Sequence, residues 1–165
     1  MKMVRTLGRI LAWFNLIYWG FGVVSGLLQA MSMGIPLAWV VVVLMAAIPL
    51  NSYAALQLHK SIRRPEIKLS HNTPVGIRYV GSFVVFIGIT FVGFGVLLLE
   101  RPQDLLQLFK EQATNMNQLV SLNTVDQLRS LGVFVVVLGI VMIASALLNM
   151  RLLRWYFLVR KSDVS

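Results

Sequence analysis

The sequence predicts an all-α membrane protein whose four transmembrane helices form a left-handed bundle, in a single domain over residues 1–165. The first observation is composition, because 58% of the residues are hydrophobic and only 13% are charged, about half the charged share of a soluble domain. The second is a set of four apolar windows, each longer than the roughly 20 residues that cross a hydrocarbon layer. They cover about 9–30, 35–58, 75–99 and 131–155.

The basic residues predict how these spans are oriented. Twelve of the 15 Lys and Arg residues lie on the side that holds both termini and the connection between spans two and three. The positive-inside rule therefore predicts a multi-pass inner-membrane protein with both termini in the cytoplasm. This orientation explains the net charge of +9, so the charge does not predict a nucleic-acid partner. The twelve are Lys2, Arg5, Arg9, Lys60, Arg63, Arg64, Lys68, Arg78, Arg151, Arg154, Arg160 and Lys161.

Proline and threonine residues mark where the helices begin. Pro36 and Pro74 suit the first turn of spans two and three, where a missing backbone N–H costs nothing. Thr73 is predicted to cap the third helix. Thr124 and Gln127 match a capping box, in which each side chain bonds the other residue's backbone N–H. The fourth helix is therefore expected to begin outside the membrane.

The two halves of the chain resemble each other. When span three is aligned on span one, Gly81 falls on Gly8. When span four is aligned on span two, Asn149 falls on Asn51. These matches predict two tandem helical hairpins in a parallel repeat about an axis along the membrane normal. Apolar sequences also match by chance because they use few residue types, so duplication and coincidence both remain open.

Small residues recur every seven positions along the spans, which is the spacing that keeps a seam facing a neighbouring helix in a left-handed bundle. Small side chains let backbones approach closely where lipid supplies no hydrophobic drive. Span one also carries a Gly-x-x-x-Gly pair. The residues predicted to pack the helices together are Gly22, Gly26, Gly81, Gly88, Gly95, Gly132, Gly139 and Ala146.

Few polar residues lie within the spans. Asn15, Tyr18 and Trp19 share one helical face, which allows two interpretations: the wall of an intramembrane polar pocket, or hydrogen bonds that hold helices together. The hydrogen-bond interpretation is favoured. It is stronger for Asn51 and Asn149, which lie near the cytoplasmic ends of their predicted spans.

A further helix is predicted in the extracytoplasmic loop, at about 102–120. Its apolar residues occupy one arc, so burial of that arc is expected to dock the segment on the membrane, on the bundle or on a partner subunit. The polar face lacks the basic residues that draw surface helices to anionic lipid. The docking residues are Leu105, Leu106, Leu108, Phe109 and Met116.

Catalysis is not predicted. No Asp, Glu, Lys or His falls in the middle of a span, which argues against proton-coupled transport and axial haem ligation. The two histidines match no metal-ligand spacing, and the chain has no cysteine and no nucleophile or phosphate-binding motif. The sequence therefore predicts no enzyme, no cofactor and no metal site.

Function is predicted from what remains. The leading interpretation is a non-catalytic integral subunit or accessory/assembly protein of a larger inner-membrane complex, which acts by helix packing and partner docking. Its expected partners are the lipid bilayer and other membrane protein subunits, or copies of itself. The alternative is a homo-oligomeric channel or small-solute carrier lined by the polar face of the first span. The basic segment 59–64 also suits anionic lipid, although orientation alone accounts for it.

Overall fold

Helices make up the secondary structure of the chain in residues 2–33, 36–64, 66–67, 69–115 and 124–162, which a computed structural model describes. No strand occurs in these ranges. The helices are α1 (Lys2–Met33), α2 (Pro36–Arg63), α3 (Asn72–Val75), α4 (Gly81–Glu100), α5 (Pro102–Asn115) and α6 (Val125–Ser162), and a π-helical turn (Gly76–Val80) joins α3 to α4.

Four helical stretches in these ranges are long and apolar enough to cross a membrane: Met3–Ser32, Ala38–Arg63, Asn72–Glu100 and Val125–Val159. This confirms the prediction of an all-helical chain with four candidate spans, whereas left-handed packing stays a prediction. The helices run past the predicted windows at their charged ends. Hydropathy detects only the apolar part of a helix, while Lys and Arg are good helix formers that let it continue.

The starts of α2 and α6 follow the sequence signals. α2 begins at Pro36. Before α6, the backbone N–H of Gln127 donates to Thr124 Oγ1, and the backbone N–H of Thr124 donates to Gln127 Oε1, both at 3.3 Å. The predicted capping box is therefore confirmed, and it satisfies two backbone donors that the helix itself leaves unpaired.

The prediction for Thr73 is wrong, because this residue does not cap the third helix. The helix begins at Asn72, so Thr73 lies inside its first turn. The Thr73 hydroxyl donates instead to Gln57 Oε1 of α2 at 2.8 Å. This bond ties the start of α3 to α2, and a pattern that is local in sequence does not reveal such a distant acceptor.

The chain divides into two compact units, the first of which combines Met1–Phe86 with Met142–Ser165. Here α1 packs along α2, and a buried apolar cluster joins the end of α2 to the π-helical turn and to α6. The cluster holds the C-terminal end of α2, which is the basic end of that helix. Its members are Leu58, Ile77, Leu152, Leu153 and Tyr156.

Ser61 holds the loop that follows α2. Its hydroxyl donates to the carbonyl oxygen of Ile67 at 2.7 Å and lies 3.2 Å from the hydroxyl oxygen of Tyr156 on α6. The loop, α2 and α6 are therefore tied together at one buried point. The backbone of Arg64 is hydrogen-bonded too, because its N–H donates to the carbonyl oxygen of Lys60 and its own carbonyl oxygen accepts from the N–H of Ile67, both at 3.0 Å.

The second unit is Ile87–Val141, in which α4 and α6 approach each other at glycines. A Cβ atom on Gly139 would lie 2.7 Å from the carbonyl oxygen of Gly88. A Cβ atom on Gly95 would lie 2.8 Å from the carbonyl oxygen of Gly132. Real Cβ atoms do not approach backbone oxygens this closely, so any larger residue at these positions would force the two helices apart.

Candidate functional site

A groove lies between α1 and α2 at the basic end of α2. Its volume is about 790 Å³, within the range of sites that bind small organic ligands. All of its lining residues belong to the first unit. They are Arg9, Trp13, Leu16, Tyr53, Leu56, Gln57, His59, Lys60, Arg63 and Arg64.

Helical spacing places these residues on facing sides of the two helices. On α1, Arg9, Trp13 and Leu16 are four and three residues apart, which puts them on one face. On α2 most of the lining residues recur at intervals of three or four. The register between the helices is set where Gly8 meets His59, because a Cβ atom on Gly8 would lie 3.4 Å from His59 Nε2. α1 therefore passes close to α2 directly beside the groove.

The groove is amphiphilic. Its cationic side chains lie toward the ends of the helices, its other end is apolar and aromatic, and none of the ten lining residues is acidic. Such a surface matches a ligand with a negatively charged head and an apolar tail. The cationic residues are Arg9, Lys60, Arg63 and Arg64, and the apolar and aromatic residues are Trp13, Leu16, Tyr53 and Leu56.

Three asparagines are buried in the first unit. Asn15 is 1% exposed, Asn51 is 2% exposed and Asn149 is fully buried. Their side-chain oxygens make no hydrogen bond to the residues that the structure describes, and the Asn149 amide nitrogen makes none either. An unpaired buried amide group costs on the order of 1–3 kcal/mol. The interhelical hydrogen bonds that the sequence predicts for these three side-chain oxygens are therefore not seen among the described residues.

Two glycines face two of these asparagines. A Cβ atom on Gly81 of α4 would lie 3.2 Å from Asn51 Oδ1 of α2. A Cβ atom on Gly8 of α1 would lie 3.9 Å from Asn149 Oδ1 of α6. Each contact joins one predicted hairpin to the other. In the first contact the second hairpin supplies the glycine and the first supplies the asparagine, and in the second contact these roles are reversed. Two hairpins related by a two-fold axis make contacts of this form, although duplication itself stays a prediction.

The three residues of the predicted intramembrane pocket do not all face inward. Asn15 and Trp19 are buried, whereas Tyr18 is 38% exposed and its ring stacks on that of Phe14, with centroids 5.6 Å apart. The ring of Tyr18 also meets the buried ring of Trp19 edge to face, with centroids 5.3 Å apart. An intramembrane pocket at these three residues stays a prediction.

The residues predicted to pack helices lie in different surroundings. Gly26 lies at the contact between α1 and α2, where a Cβ atom would be 3.1 Å from Val42 Cγ2, but Gly22 is exposed. Ala146 is fully buried. Gly88, Gly95, Gly132 and Gly139 lie at the contact between α4 and α6 in the second unit, and a Cβ atom on Gly81 would be 3.0 Å from Met150 Cε of α6.

The residues predicted to dock the loop segment lie on α5 or beyond it. Leu105 and Leu106 are half-buried, whereas Leu108 is 52% exposed. The side chain of Phe109 and the whole of Met116 lie outside the described residues. The side of the membrane that α5 occupies, and what covers its apolar arc, stay predictions.

Sequence patterns alone did not predict the groove. The basic residues after span two also signal orientation, so their charge does not by itself indicate a site. The available signal was the helical spacing of Arg9, Trp13 and Leu16 on α1, together with an α2 face that carries Tyr53 and Lys60. Connecting these two faces requires the register between α1 and α2, which depends on contacts distant in sequence.

The unpaired amide of Asn149 leads to a prediction about stability. We expect Asn149→Leu to leave the melting temperature of the purified protein unchanged or to raise it. The Asn149 side chain makes no hydrogen bond to a described residue, and leucine has the same branching without the buried amide. Replacing a polar group whose loss leaves no partner unpaired is nearly neutral or stabilising. The measurement is thermal unfolding in a mild detergent.

Ser61→Ala is the matched control for Asn149→Leu. Ser61 is also buried in the first unit, but its hydroxyl bonds Ile67 and contacts Tyr156, so we expect a loss of about 1 kcal/mol. If Asn149→Leu lowers the melting temperature as much as Ser61→Ala does, then Asn149 does hold helices together through a hydrogen bond.

Comparisons with family models, with curated proteins and with solved structures found no match to this chain.

Proposed function

We propose that this chain is a non-catalytic accessory protein of the inner membrane that holds an anionic lipid in the groove between α1 and α2. The lining of the groove is the observation that carries this proposal, because it joins four cations without any acid to an apolar and aromatic stretch. With the orientation expected from the positive-inside rule, the groove opens to the cytoplasmic leaflet, whose anionic lipids attract basic residues.

The two parts of the groove favour a lipid over a free anion. Each Lys or Arg near the surface contributes about 1 kcal/mol to the attraction of anionic headgroups. The rings of Trp13 and Tyr53 are 47% and 56% exposed, and such amphipathic rings are common at the headgroup level of a membrane. Leu16 and Leu56 add aliphatic surface along the same wall. A free phosphate would use the cations and leave this apolar surface without a ligand.

The exposure of α1 supports the accessory role. Only 17% of the most apolar window of this span is buried, against 28% in the third span and 33% in the second and fourth. Its exposed side chains include Phe14 and Phe21. We propose that another membrane protein subunit packs beside α1, so that the bound lipid lies at the edge of that interface. The channel alternative has no comparable support, because Asn15, Tyr18 and Trp19 are not among the residues that line the groove.

Lipid binding by the purified chain tests the proposal. We expect native mass spectrometry in a mild detergent to show one phosphatidylglycerol bound per chain at lipid concentrations where phosphatidylcholine does not bind. Arg9→Gln with Lys60→Gln is expected to weaken this binding about tenfold or more, since two cations contribute on the order of 2 kcal/mol. Proteins pulled down in the same detergent should include non-identical membrane subunits.

Arg151→Gln with Arg154→Gln is the matched control, because it removes the same charge from exposed residues outside the groove. This variant should bind phosphatidylglycerol as the unchanged chain does. Equal weakening in both variants would show that net charge alone attracts the lipid, and the groove would not be its site. A conducting homo-oligomer without other subunits would contradict the accessory role.

A further inference from the structure

The cations of the groove form two pairs at different levels. Gly8 contacts His59, so the next residue on α1, Arg9, lies level with the region of Lys60 on α2. Both of these cations line the groove, and together they form its inner pair. Arg63 and Arg64 lie three and four residues after Lys60, which is about one helical turn, or roughly 5 Å, nearer the end of α2. They form the outer pair.

One phosphate leaves much of the positive charge of the two pairs unbalanced. A single phosphodiester carries one negative charge, which would leave most of the cationic charge of the groove without a counter-charge. No lining residue is acidic, so the protein supplies no internal counter-charge there. Guanidinium groups also bind phosphate oxygens in pairs of hydrogen bonds, which favours one phosphate for each arginine-containing pair. The arrangement therefore suits two negative groups separated by a short distance.

We propose that the groove selects a lipid with two phosphodiester groups joined by a glycerol bridge, as in cardiolipin, with one phosphate on each cationic pair. This inference rests on the proposed function and names the lipid class for the same site. A glycerol bridge separates the two phosphates by several bonds, as two pairs one turn apart require. In a diphosphate one oxygen atom joins the two phosphorus atoms, so both phosphates would lie at the level of one cationic pair.

The apolar part of the groove lies where the acyl chains of such a lipid would run. Trp13 and Leu16 follow Arg9 by one and two turns along α1, away from both cationic pairs. Tyr53 and Leu56 precede Lys60 on α2 in the same direction. A lipid with its phosphates on the cations therefore has its acyl chains directed along this wall toward the middle of the spans.

The test compares lipids on the full chain in mild detergent, at equal total phosphate, by native mass spectrometry. We expect cardiolipin to bind about tenfold more tightly than phosphatidylglycerol, because the second phosphate binds as part of a molecule that is already held. Arg63→Gln with Arg64→Gln should remove this preference while phosphatidylglycerol still binds the inner pair. Arg151→Gln with Arg154→Gln should keep the preference, and thermal unfolding would establish that each variant is folded.

The outcomes of this test distinguish the two-phosphate inference from the proposed function. Equal affinity for cardiolipin and phosphatidylglycerol, with both above phosphatidylcholine, would overturn the two-phosphate inference and leave the proposed function in place. Tighter binding of a polyprenyl diphosphate than of cardiolipin would overturn it too. Binding of neither anionic lipid above phosphatidylcholine would overturn the proposed function as well. Loss of the preference in both double variants would show that it depends on net charge and not on the outer pair.

Discussion

Gly139→Leu is expected to lower the stability of the protein by more than about 3 kcal/mol, beyond the usual cost of overpacking a well-packed core. Even a Cβ atom at this position would lie 2.7 Å from the carbonyl oxygen of Gly88 and 2.8 Å from Val92 Cγ2. Backbone cannot move aside as a flexible side chain can, so α4 and α6 would have to separate. The melting temperature in mild detergent should fall sharply, together with the yield of folded protein.

Gly93→Leu is the control for Gly139→Leu. It makes the same substitution in the same unit, but nothing lies within 4 Å of the position that its Cβ atom would occupy. Leucine is a better helix former than glycine by about 1 kcal/mol, so this variant should be as stable as the unchanged chain or more stable. Similar melting temperatures for both variants would show that α4 and α6 are not in close contact at Gly139.

Much of the fold follows from the sequence because the constraints that set it are local. A window of apolar residues defines each span, and the capping box at Thr124 and Gln127 defines the start of α6. The exceptions depend on distant residues. Thr73 bonds Gln57 of another helix, and the π-helical turn at Gly76–Val80 packs Ile77 into a cluster with α2 and α6. Neither partner is close in sequence.

The candidate site was harder to predict than the spans. The groove forms between two helices and depends on how they are packed against each other. Sequence periodicity predicts which residues share a face of one helix, but it does not predict which faces of two helices meet. Charge was a misleading guide, because Lys60, Arg63 and Arg64 serve equally well as orientation signals. The polar residues of the first span were an ambiguous guide as well. Asn15 and Tyr18 attract attention as polar residues in an apolar span, yet one is buried and the other is exposed.

Glycine and asparagine positions carry more information together than separately. The sequence aligns Gly8 with Gly81, and Asn51 with Asn149, on the basis of repetition alone. The contacts pair Gly81 with Asn51 and Gly8 with Asn149, so each glycine faces the asparagine of the other hairpin. If the similarity between the two hairpins were due to chance, there would be no reason for each glycine to face the asparagine of the other hairpin. We therefore propose duplication of one hairpin as the origin of the arrangement.

Leu58→Ala is expected to destabilise the first unit by about 2–5 kcal/mol, the range for removing a leucine from a packed core. Leu58 is fully buried and contacts a cluster that includes Ile77 and Tyr156. Removing three carbon atoms would leave a cavity between α2, the π-helical turn and α6. Leu50→Ala is the control on the same helix, because Leu50 is 61% exposed and its truncation should change stability by less than about 0.5 kcal/mol.

Lipid binding separates the role of this cluster from that of the groove. Leu58 does not line the groove, although Gln57 and His59 on either side of it do. At a temperature where Leu58→Ala stays folded, we therefore expect phosphatidylglycerol to bind about as well as to the unchanged chain. On warming, the Leu58→Ala variant should lose the lipid at a lower temperature than the unchanged chain does, and this loss should coincide with unfolding measured on the same sample. Equal melting temperatures for Leu58→Ala and Leu50→Ala would contradict a stabilising role for the cluster. Weak lipid binding by a fully folded Leu58→Ala variant would show that the cluster shapes the groove directly.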